Sequence, residues 1–361
     1  MTALKLRKVL VNMRKITVNA SKTYDVIIGR NVLPSVGEYA KSIGLLGKAC
    51  IITDSNVAPL YLEKTAQSLE KSGFEVCSFV FPAGEESKNL GTLGDILNFL
   101  AKNHFSRKDT VFALGGGVTG DITGFAAATY MRGINFVQLP TSLLASVDSS
   151  VGGKTAVDLP AGKNLAGAFY QPGFVLFDID VLKTLPEEYY QDGMAEVIKY
   201  AIIRGKGIDK LLQNPEENLE EIIARCVEIK RDIVNEDEFE GGVRKILNFG
   251  HTAGHAIEKA ANFTLSHGRA VAMGMYIVTN AWEKRGMCKR GTCDALTELL
   301  DRFGLEKNCP YSAEILSENA RNDKKAESDG VSLIVPISLG ECEIIKVTID
   351  ELLQIFKEGM A

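Results

Sequence analysis

Three of the chain's four histidines lie in one window, at His251, His255 and His267. In Gly250-His-Thr-Ala-Gly-His255 the first two are spaced i,i+4, which puts both rings on one face of a helix. Imidazoles grouped in this way, joined by a carboxylate, make a site for a divalent ion such as Zn²⁺. Glu196 and Glu258 are both candidate carboxylates. Spacing does not say which rings ligate; one of the three can instead carry protons or touch a substrate. The plainer alternative is a set of hydrogen-bonded core histidines, and three of four in one window weighs against it. His104 stands alone and reads as a surface-loop residue.

A second chemical signal is Gly115-Gly-Gly-Val-Thr-Gly-Asp121, which follows a strand-like run and opens a helix-like one. Gly115, Gly117 and Gly120 fit G-x-G-x-x-G. Without side chains, backbone N–H groups can approach a pyrophosphate, and the helix N-terminus adds partial positive charge. The same glycines would also serve a tight turn where a helix packs on a strand. A dinucleotide site usually carries an acid about 20 residues further on, but the next strand ends Gln138-Leu-Pro-Thr-Ser142 without one. Asp54, at an earlier strand tip, is the alternative ribose partner and is equally a candidate helix cap.

The third signal is segment 148–164, rich in glycine and polar groups and read as a loop of the kind that lines a site. Lys154 and Lys163, beside glycines, are point charges for phosphate or carboxylate. Gly153-Lys-Thr155 is no nucleotide P-loop, because Asp148 stands where G-x-x-x-x-G-K-[ST] needs its first glycine. Arg132, Lys199, Lys230 and Arg244 are further cations in apolar or helical surroundings, each by itself a candidate surface charge.

These residues need a scaffold, and the chain is long enough for two domains: 361 residues, 45% hydrophobic and 24% charged, are ordinary values for a globular protein. A net charge of -5 lacks the basic surplus of nucleic-acid binding but allows a local basic pocket. Seven scattered cysteines without a CxxC pair point to a reducing, cytoplasmic setting. No apolar run approaches the ~20 residues of a membrane span, and no signal-peptide core is visible. A hairpin is predicted from 15–19 and 24–28. Strand-like runs at 49–53, 75–81, 110–114, 136–139 and 175–178 are interleaved with helical stretches at 57–73 and 90–103. This order predicts a parallel sheet with helices on its faces, a Rossmann-like α/β domain over 1–180. Beyond it, 181–205, 215–235, 251–261, 269–285 and 292–303 read as helices, and only 331–335 and 343–347 as strands. A mostly α-helical second domain over 181–361 is therefore expected.

Several further motifs run in order with these: Pro82-Ala-Gly-Glu-Glu-Ser-Lys88, Pro140-Thr-Ser-Leu-Leu-Ala-Ser-Val-Asp-Ser-Ser-Val-Gly-Gly-Lys154, Gly162-Lys-Asn164, Met194-Ala-Glu-Val-Ile-Lys199 and Leu247-Asn-Phe-Gly-His-Thr-Ala-Gly-His255. With the glycine turn they resemble the 3-dehydroquinate synthase family of the sugar-phosphate cyclases, over about residues 50–330. The resemblance implies that family's two-domain fold, a homodimer, and a carbon–oxygen lyase of the shikimate pathway that supplies aromatic amino-acid synthesis. In that reaction 3-deoxy-D-arabino-heptulosonate 7-phosphate becomes 3-dehydroquinate and phosphate. NAD⁺ takes a hydride from a carbinol, the new ketone acidifies the neighbouring C–H, phosphate leaves, the hydride returns, and an aldol step closes the ring.

The resemblance also implies residue roles. Glu196, His251 and His267 match the ligands of a Zn²⁺ or Co²⁺ ion, and His255 matches a substrate contact and proton carrier. Lys154, Lys163, Asn164, Lys199, Lys230, Arg244 and Asn248 match positions that hold the substrate's hydroxyls, carboxylate and phosphate, with Lys163 counted at the cofactor as well. Asp148 matches a hydroxyl contact, and Arg132 one that reaches the neighbouring subunit's phosphate site. Asp54, Glu85, Lys88, Gly116, Gly117, Val118, Asp121, Thr141, Ser142 and Thr184 match the NAD site. The chain departs from the pattern at Ser142, where many members carry threonine, and after Asp323-Lys-Lys325, where the run is more acidic. Three other readings stay open: another sugar-phosphate cyclase, a metal-dependent polyol or glycerol-phosphate dehydrogenase, and a non-catalytic protein on the same fold. The set Lys230, Arg244, Asn248 and His255 favours the dehydroquinate-forming pattern over another cyclase, the 148–164 segment weighs against a dehydrogenase, and the intact candidate ligands and lysines weigh against a non-catalytic protein.

Overall fold

The computed structural model of the chain describes residues 13–323 and 330–361; Lys324, Lys325, the acidic run after them and the start of the chain lie outside these. The chain divides into two units, one extending to Leu185 and taking in Lys230–Glu238, the other comprising Pro186–Ile229 and Phe239–Ala361. The pattern change read near residue 180 thus falls five residues earlier than the structural division, and a later segment joins the first unit.

In the first unit the hairpin β1 (Arg14–Asn19) and β2 (Thr23–Gly29) leads into α1 (Val36–Ser42), β3 (Lys48–Asp54), α2 (Glu63–Lys71), β4 (Glu75–Phe81), α3 (Leu90–Lys102), β5 (Thr110–Gly115), α4 (Gly117–Thr129), β6 (Asn135–Pro140), β7 (Lys154–Leu159), β8 (Gly162–Phe169) and β9 (Phe174–Asp178). Seven strands form one sheet in the order β1-β2-β9-β6-β5-β3-β4. All neighbours are parallel except the β1–β2 hairpin. Residues alternate between two cores: Ile51, Phe112, Leu114 and Val137 pack in one, Cys50, Ile52, Val111, Ala113 and Phe136 in the other. That period-2 partition is why these strands read as continuous apolar runs, buried on both faces.

Several sequence expectations need correction. Segment 148–164 is not a loop throughout, because Lys154–Leu159 pairs antiparallel with Gly162–Phe169. Its alternation Thr155-Ala-Val-Asp-Leu159 is short and bracketed by glycines, which hid it. The helix read over 57–73 begins as a π turn at Ala58–Leu62, where Pro59 offers no N–H. The helix read over 181–205 is a 3₁₀ turn, Ile179–Thr184, and then a helix from Glu187, broken at Leu185-Pro186.

The second unit contains α5 (Glu187–Ile203), a one-turn helix Ile208–Leu211, most of α6 (Pro215–Glu236), a 3₁₀ segment Val243–Asn248, α7 (His251–Ala260), α8 (His267–Lys284), α9 (Thr292–Arg302), α10 (Ala313–Asp323), the hairpin β10 (Val331–Ser338) and β11 (Glu341–Val347), and α11 (Ile349–Met360). α8 packs against α5, α7, α9 and α11 and so forms the centre of this unit. The last part of α6 belongs with the first unit. There Asn235 Oδ1 accepts from Asn19 N at 2.7 Å, and Glu238 accepts from Ser21 N and Oγ, both at 2.6 Å. No helix among the described residues is long and apolar enough to cross a membrane.

Candidate active site

In the first unit the chain leaves β3 for β4 on one side, then returns to place β5 on the other. The carboxyl ends of β3 and β5 are therefore the point where the winding reverses, the crevice in which open parallel sheets bind nucleotides. Asp54 ends β3 and Gly115 ends β5. Asp54 Oδ1 accepts from Asn56 N at 2.9 Å and Val57 N at 3.0 Å, and Thr119 Oγ1 donates to Oδ2 at 3.3 Å. The carboxylate thus caps its own turn and ties β3 to the first turn of α4.

The three glycines of the fingerprint divide by function. A Cβ on Gly115 would fall 2.3 Å from Thr119 Oγ1, and one on Gly120 2.7 Å from Gln138 Oε1 of β6. Those two glycines are demanded by packing. Gly116 and Gly117 have more room: a Cβ there would meet the hydroxyls of Ser142 and Ser149 at 3.4 and 3.3 Å. Gly116 caps α4, so the N–H groups of Gly117, Val118 and Thr119 have no acceptor within the helix and suit an anion. Thr141 N donates to Gly115 O at 2.9 Å, and Ser142 Oγ accepts from Ala145 N at 3.3 Å. Thr184 Oγ1 lies 2.5 Å from Tyr61 Oη.

Beside this crevice the first unit holds a charged network. Lys88, only 5% exposed, places Nζ 2.6 Å from Asp121 Oδ2 and 2.6 Å from Asn164 Oδ1. Burial opposes the ammonium charge, but Asp121 and Glu85 outweigh it and hold Lys88 above the ordinary lysine value. Burial pushes the carboxyls of Glu85 and Asp121 upward, with Lys88 opposing in both. Lys163 Nζ stands 3.9 Å from Glu85 Oε1. Asn164, at φ +57, donates its N–H to Asp158 Oδ1 at 2.7 Å. Sequence reasoning missed Asp158, whose position became meaningful only once the β7–β8 turn was formed. Lys230 donates Nζ to Asp148 O at 2.7 Å and Oδ1 at 2.8 Å. Lys154 is exposed at the start of β7, and Arg132 is exposed at φ +66.

In the second unit glycines bring the histidines together. A Cβ on Gly274 of α8 would lie 2.1 Å from Gly250 O, and one on Gly268 2.5 Å from the Asp192 backbone. Gly250, at φ +79, starts α7 in a left-handed conformation that a side chain would strain. α7 and α8 can therefore cross closely, with His251 and His267 as their first residues. Glu196, fully buried on α5, offers Oε1 at 3.6 Å from His251 Nε2 and 3.5 Å from His267 Nε2. One ligand atom from each of the three lies within 4.8 Å of the others. Donors sharing an ion at bond lengths near 2.0–2.2 Å in tetrahedral array are about 3.3–3.6 Å apart, so the set fits a divalent ion.

The outer nitrogens are also held. His251 Nδ1 meets Phe249 O at 3.0 Å and His267 Nδ1 meets Glu258 Oε2 at 3.4 Å, which leaves each Nε2 turned to Glu196. Burial, aided by Lys199 and the two other rings, pushes His251 down to about 3. His267 also suffers burial, but hydrogen bonds and charge from Glu196 and Glu258 raise it to about 10. With Glu196 and Glu258 the rings are flanked by two carboxylates, a setting that suits a divalent cation. Lys199, 1% exposed, sits on Glu196 through Nζ. Arg244 is 1% exposed, and Asn248 Nδ2 donates to Glu240 Oε1 at 3.0 Å. Lys199, Lys230 and Arg244 are therefore buried, not the surface charges their isolated positions suggested. His255 is exposed, with its ring centroid 5.5 Å from that of His251.

An open parallel sheet with a nucleotide crevice, joined in one chain to a helical unit carrying a Glu–His–His set, defines a class of two-unit enzymes. The structure matches 2-deoxy-scyllo-inosose synthase, solved with carbaglucose-6-phosphate, NAD⁺ and Co²⁺, at a TM-score of 0.86 and 26% identity, covering 96% of this chain and 100% of that one. It shares its fold with 2-epi-5-epi-valiolone synthase from Streptomyces hygroscopicus subsp. jinggangensis 5008, at a TM-score of 0.85 and 24% identity over 96% and 99% of the two chains. Within this class the chain belongs to the 3-dehydroquinate synthase family: the family's N-terminal model matches residues 78–192 and its C-terminal model residues 193–326. It is 44% identical over 348 residues to 3-dehydroquinate synthase of Clostridium kluyveri, covering 94% of this chain and 97% of that protein.

Proposed function

We propose that the chain converts 3-deoxy-D-arabino-heptulosonate 7-phosphate to 3-dehydroquinate and phosphate, as a phosphate-eliminating lyase. The observation that carries this reading is the presence, in one member of this family, of a nucleotide crevice at β3 and β5 and a Glu196–His251–His267 set with His255 at its side. NAD held at the crevice by residues such as Asp54, Gly116 and Gly117 would supply reversible hydride transfer without net consumption. Glu196, His251 and His267 would hold a divalent ion, Zn²⁺ or Co²⁺, which would supply Lewis acidity at the substrate hydroxyl.

The chain's own residues do the rest. Asp54, Glu85, Lys88, Gly116, Gly117, Val118, Asp121, Thr141, Ser142, Lys163 and Thr184 bind and orient the cofactor. Lys154, Lys199, Lys230, Arg244, Asn164 and Asn248 hold the substrate's carboxylate, phosphate and hydroxyls, and Asp148 fixes Lys230 while contacting a hydroxyl. Lys88 and Asn164 share a hydrogen bond, which couples a cofactor residue to a substrate residue. His255, exposed beside the His251 ring, moves a proton at the substrate. Arg132, exposed in a left-handed backbone, serves a partner subunit in a homodimer. The seven cysteines, none of them in a disulfide, support a reducing, cytoplasmic setting.

The test supplies the heptulosonate phosphate with Zn²⁺ and substoichiometric NAD⁺, and follows phosphate release and dehydroquinate. Many turnovers per NAD are expected. No turnover, alongside turnover of a hexose phosphate, would reassign the substrate, and stoichiometric NADH release would make the protein a dehydrogenase.

A further inference from the structure

Glu258 is a carboxylate to which the proposed chemistry gives no task. It is 4% exposed, and its Oε2 lies 3.4 Å from His267 Nδ1. On α7 it follows His255 by three residues and His251 by seven, so one helix face presents a ligand ring, a proton-carrier ring and this carboxylate in succession. The two ligand histidines are consequently held by unlike partners: His251 by a neutral backbone carbonyl on its own segment, His267 by an anion from another helix.

We infer that Glu258 is a positioning residue of the metal centre, which fixes His267 as the tautomer protonated at Nδ1 and keeps Nε2 turned to the ion. An acceptor-only carboxylate at Nδ1 forces the proton there and leaves the Nε2 lone pair to the metal. Because that acceptor is charged, it also makes His267 the more electron-rich of the two imidazole ligands. α8 begins at His267 with Ser266 as its cap, and Ser266 Oγ donates to Asp192 Oδ1 at 2.6 Å. The helix start is thus anchored separately, and what Glu258 controls is the ring and not the backbone.

This inference rests on the metal reading above, and its test needs no turnover. Zn²⁺ affinity is measured by chelator competition on the full chain for wild type, Glu258→Gln and Glu258→Ala, with the visible spectrum of the Co²⁺-loaded forms. Glu258→Gln retains an acceptor and should weaken binding about tenfold, and Glu258→Ala about a hundredfold, as outer-layer partners generally do. Both should shift the Co²⁺ bands, since the donor strength of one ligand changes. The melting temperature of the metal-free chain separates this from damage to the fold. Unchanged affinity and spectrum with a lowered melting temperature would make Glu258 structural only and overturn the inference. If wild type itself binds no ion, the metal reading fails first, and the two failures are told apart.

Discussion

The nucleotide crevice and the histidine centre are built on opposite principles. Around the crevice, buried charge is matched inside the protein: Lys88 has Asp121 and Asn164, Lys230 has Asp148, and Asp54 is engaged by backbone N–H groups. At the histidine centre two rings and a carboxylate converge on one point, and an outer layer of Phe249 O and Glu258 holds the rings at their far nitrogens. The first arrangement is stable through its own pairings and lends a surface to a ligand. The second gathers three donors within 4.8 Å of one another, a set that could hold a metal ion. Substitutions at the centre should therefore act mainly on metal content and rate, and those in the lysine network on stability as well as on ligand binding.

The largest effect expected separates two histidines one turn apart. His251→Ala removes a ligand and should abolish metal content and turnover together, beyond the tenfold to hundredfold loss typical of an outer-layer partner. His255→Ala should keep the metal and slow turnover by about 10²–10⁴, the range of a general acid–base group. Metal analysis after dialysis, beside steady-state rates, checks both. Equal loss of metal in the two variants would erase the distinction drawn here.

A smaller effect tests the crevice. Lys88→Met leaves the half-buried Asp121 without its nearest cation, and breaking a pair of which one partner is buried costs up to about 3 kcal/mol. Adding Asp121→Asn to that variant should restore part of the loss, because the pair is coupled. Denaturant unfolding of the two single variants and the double variant gives the coupling directly. Strictly additive losses would mean that Lys88 and Asp121 are not the mutually dependent pair their 2.6 Å contact indicates.

Much of both regions was legible in the sequence, for physical reasons that differ. The strands β3, β5, β6 and β9 are buried on both faces and so appear as apolar runs, while His251 and His255 carry the helical period. What stayed hidden depended on long-range contacts. Asp158 matters only because the β7–β8 turn brings Asn164 N to it. Glu258 could be proposed as a carboxylate near the histidines, but not assigned to the outer side of His267, since α7 and α8 meet through Gly250 and Gly274. Lys199, Lys230 and Arg244 looked like surface charges because burial of a cation is decided by its partners and leaves no local mark. The helices α1, α10 and α11 were also missed. For α11 a signal was available in Thr348-Ile-Asp-Glu351, which has the spacing of a capping box.

That box provides the smallest prediction and a control belonging to neither region. Thr348 Oγ1 accepts from Glu351 N at 3.2 Å, and Glu351 Oε2 accepts from Thr348 N at 2.7 Å. The Thr348 N–H, together with its hydroxyl, holds the Glu351 carboxyl below the ordinary glutamate value. A carboxyl depressed on folding stabilises above its unfolded value, and the contribution is lost as pH falls through the lower folded one. Thr348→Ala should therefore lower the melting temperature by about 2 °C near neutrality, and the gap to wild type should narrow as the medium is acidified below the ordinary glutamate value, because the Glu351 carboxyl is depressed on folding. Metal content and NAD affinity should not move. If they did, the end of the chain would be coupled to the centres, and the contrast between a self-paired crevice and an ion-dependent one would need a third participant.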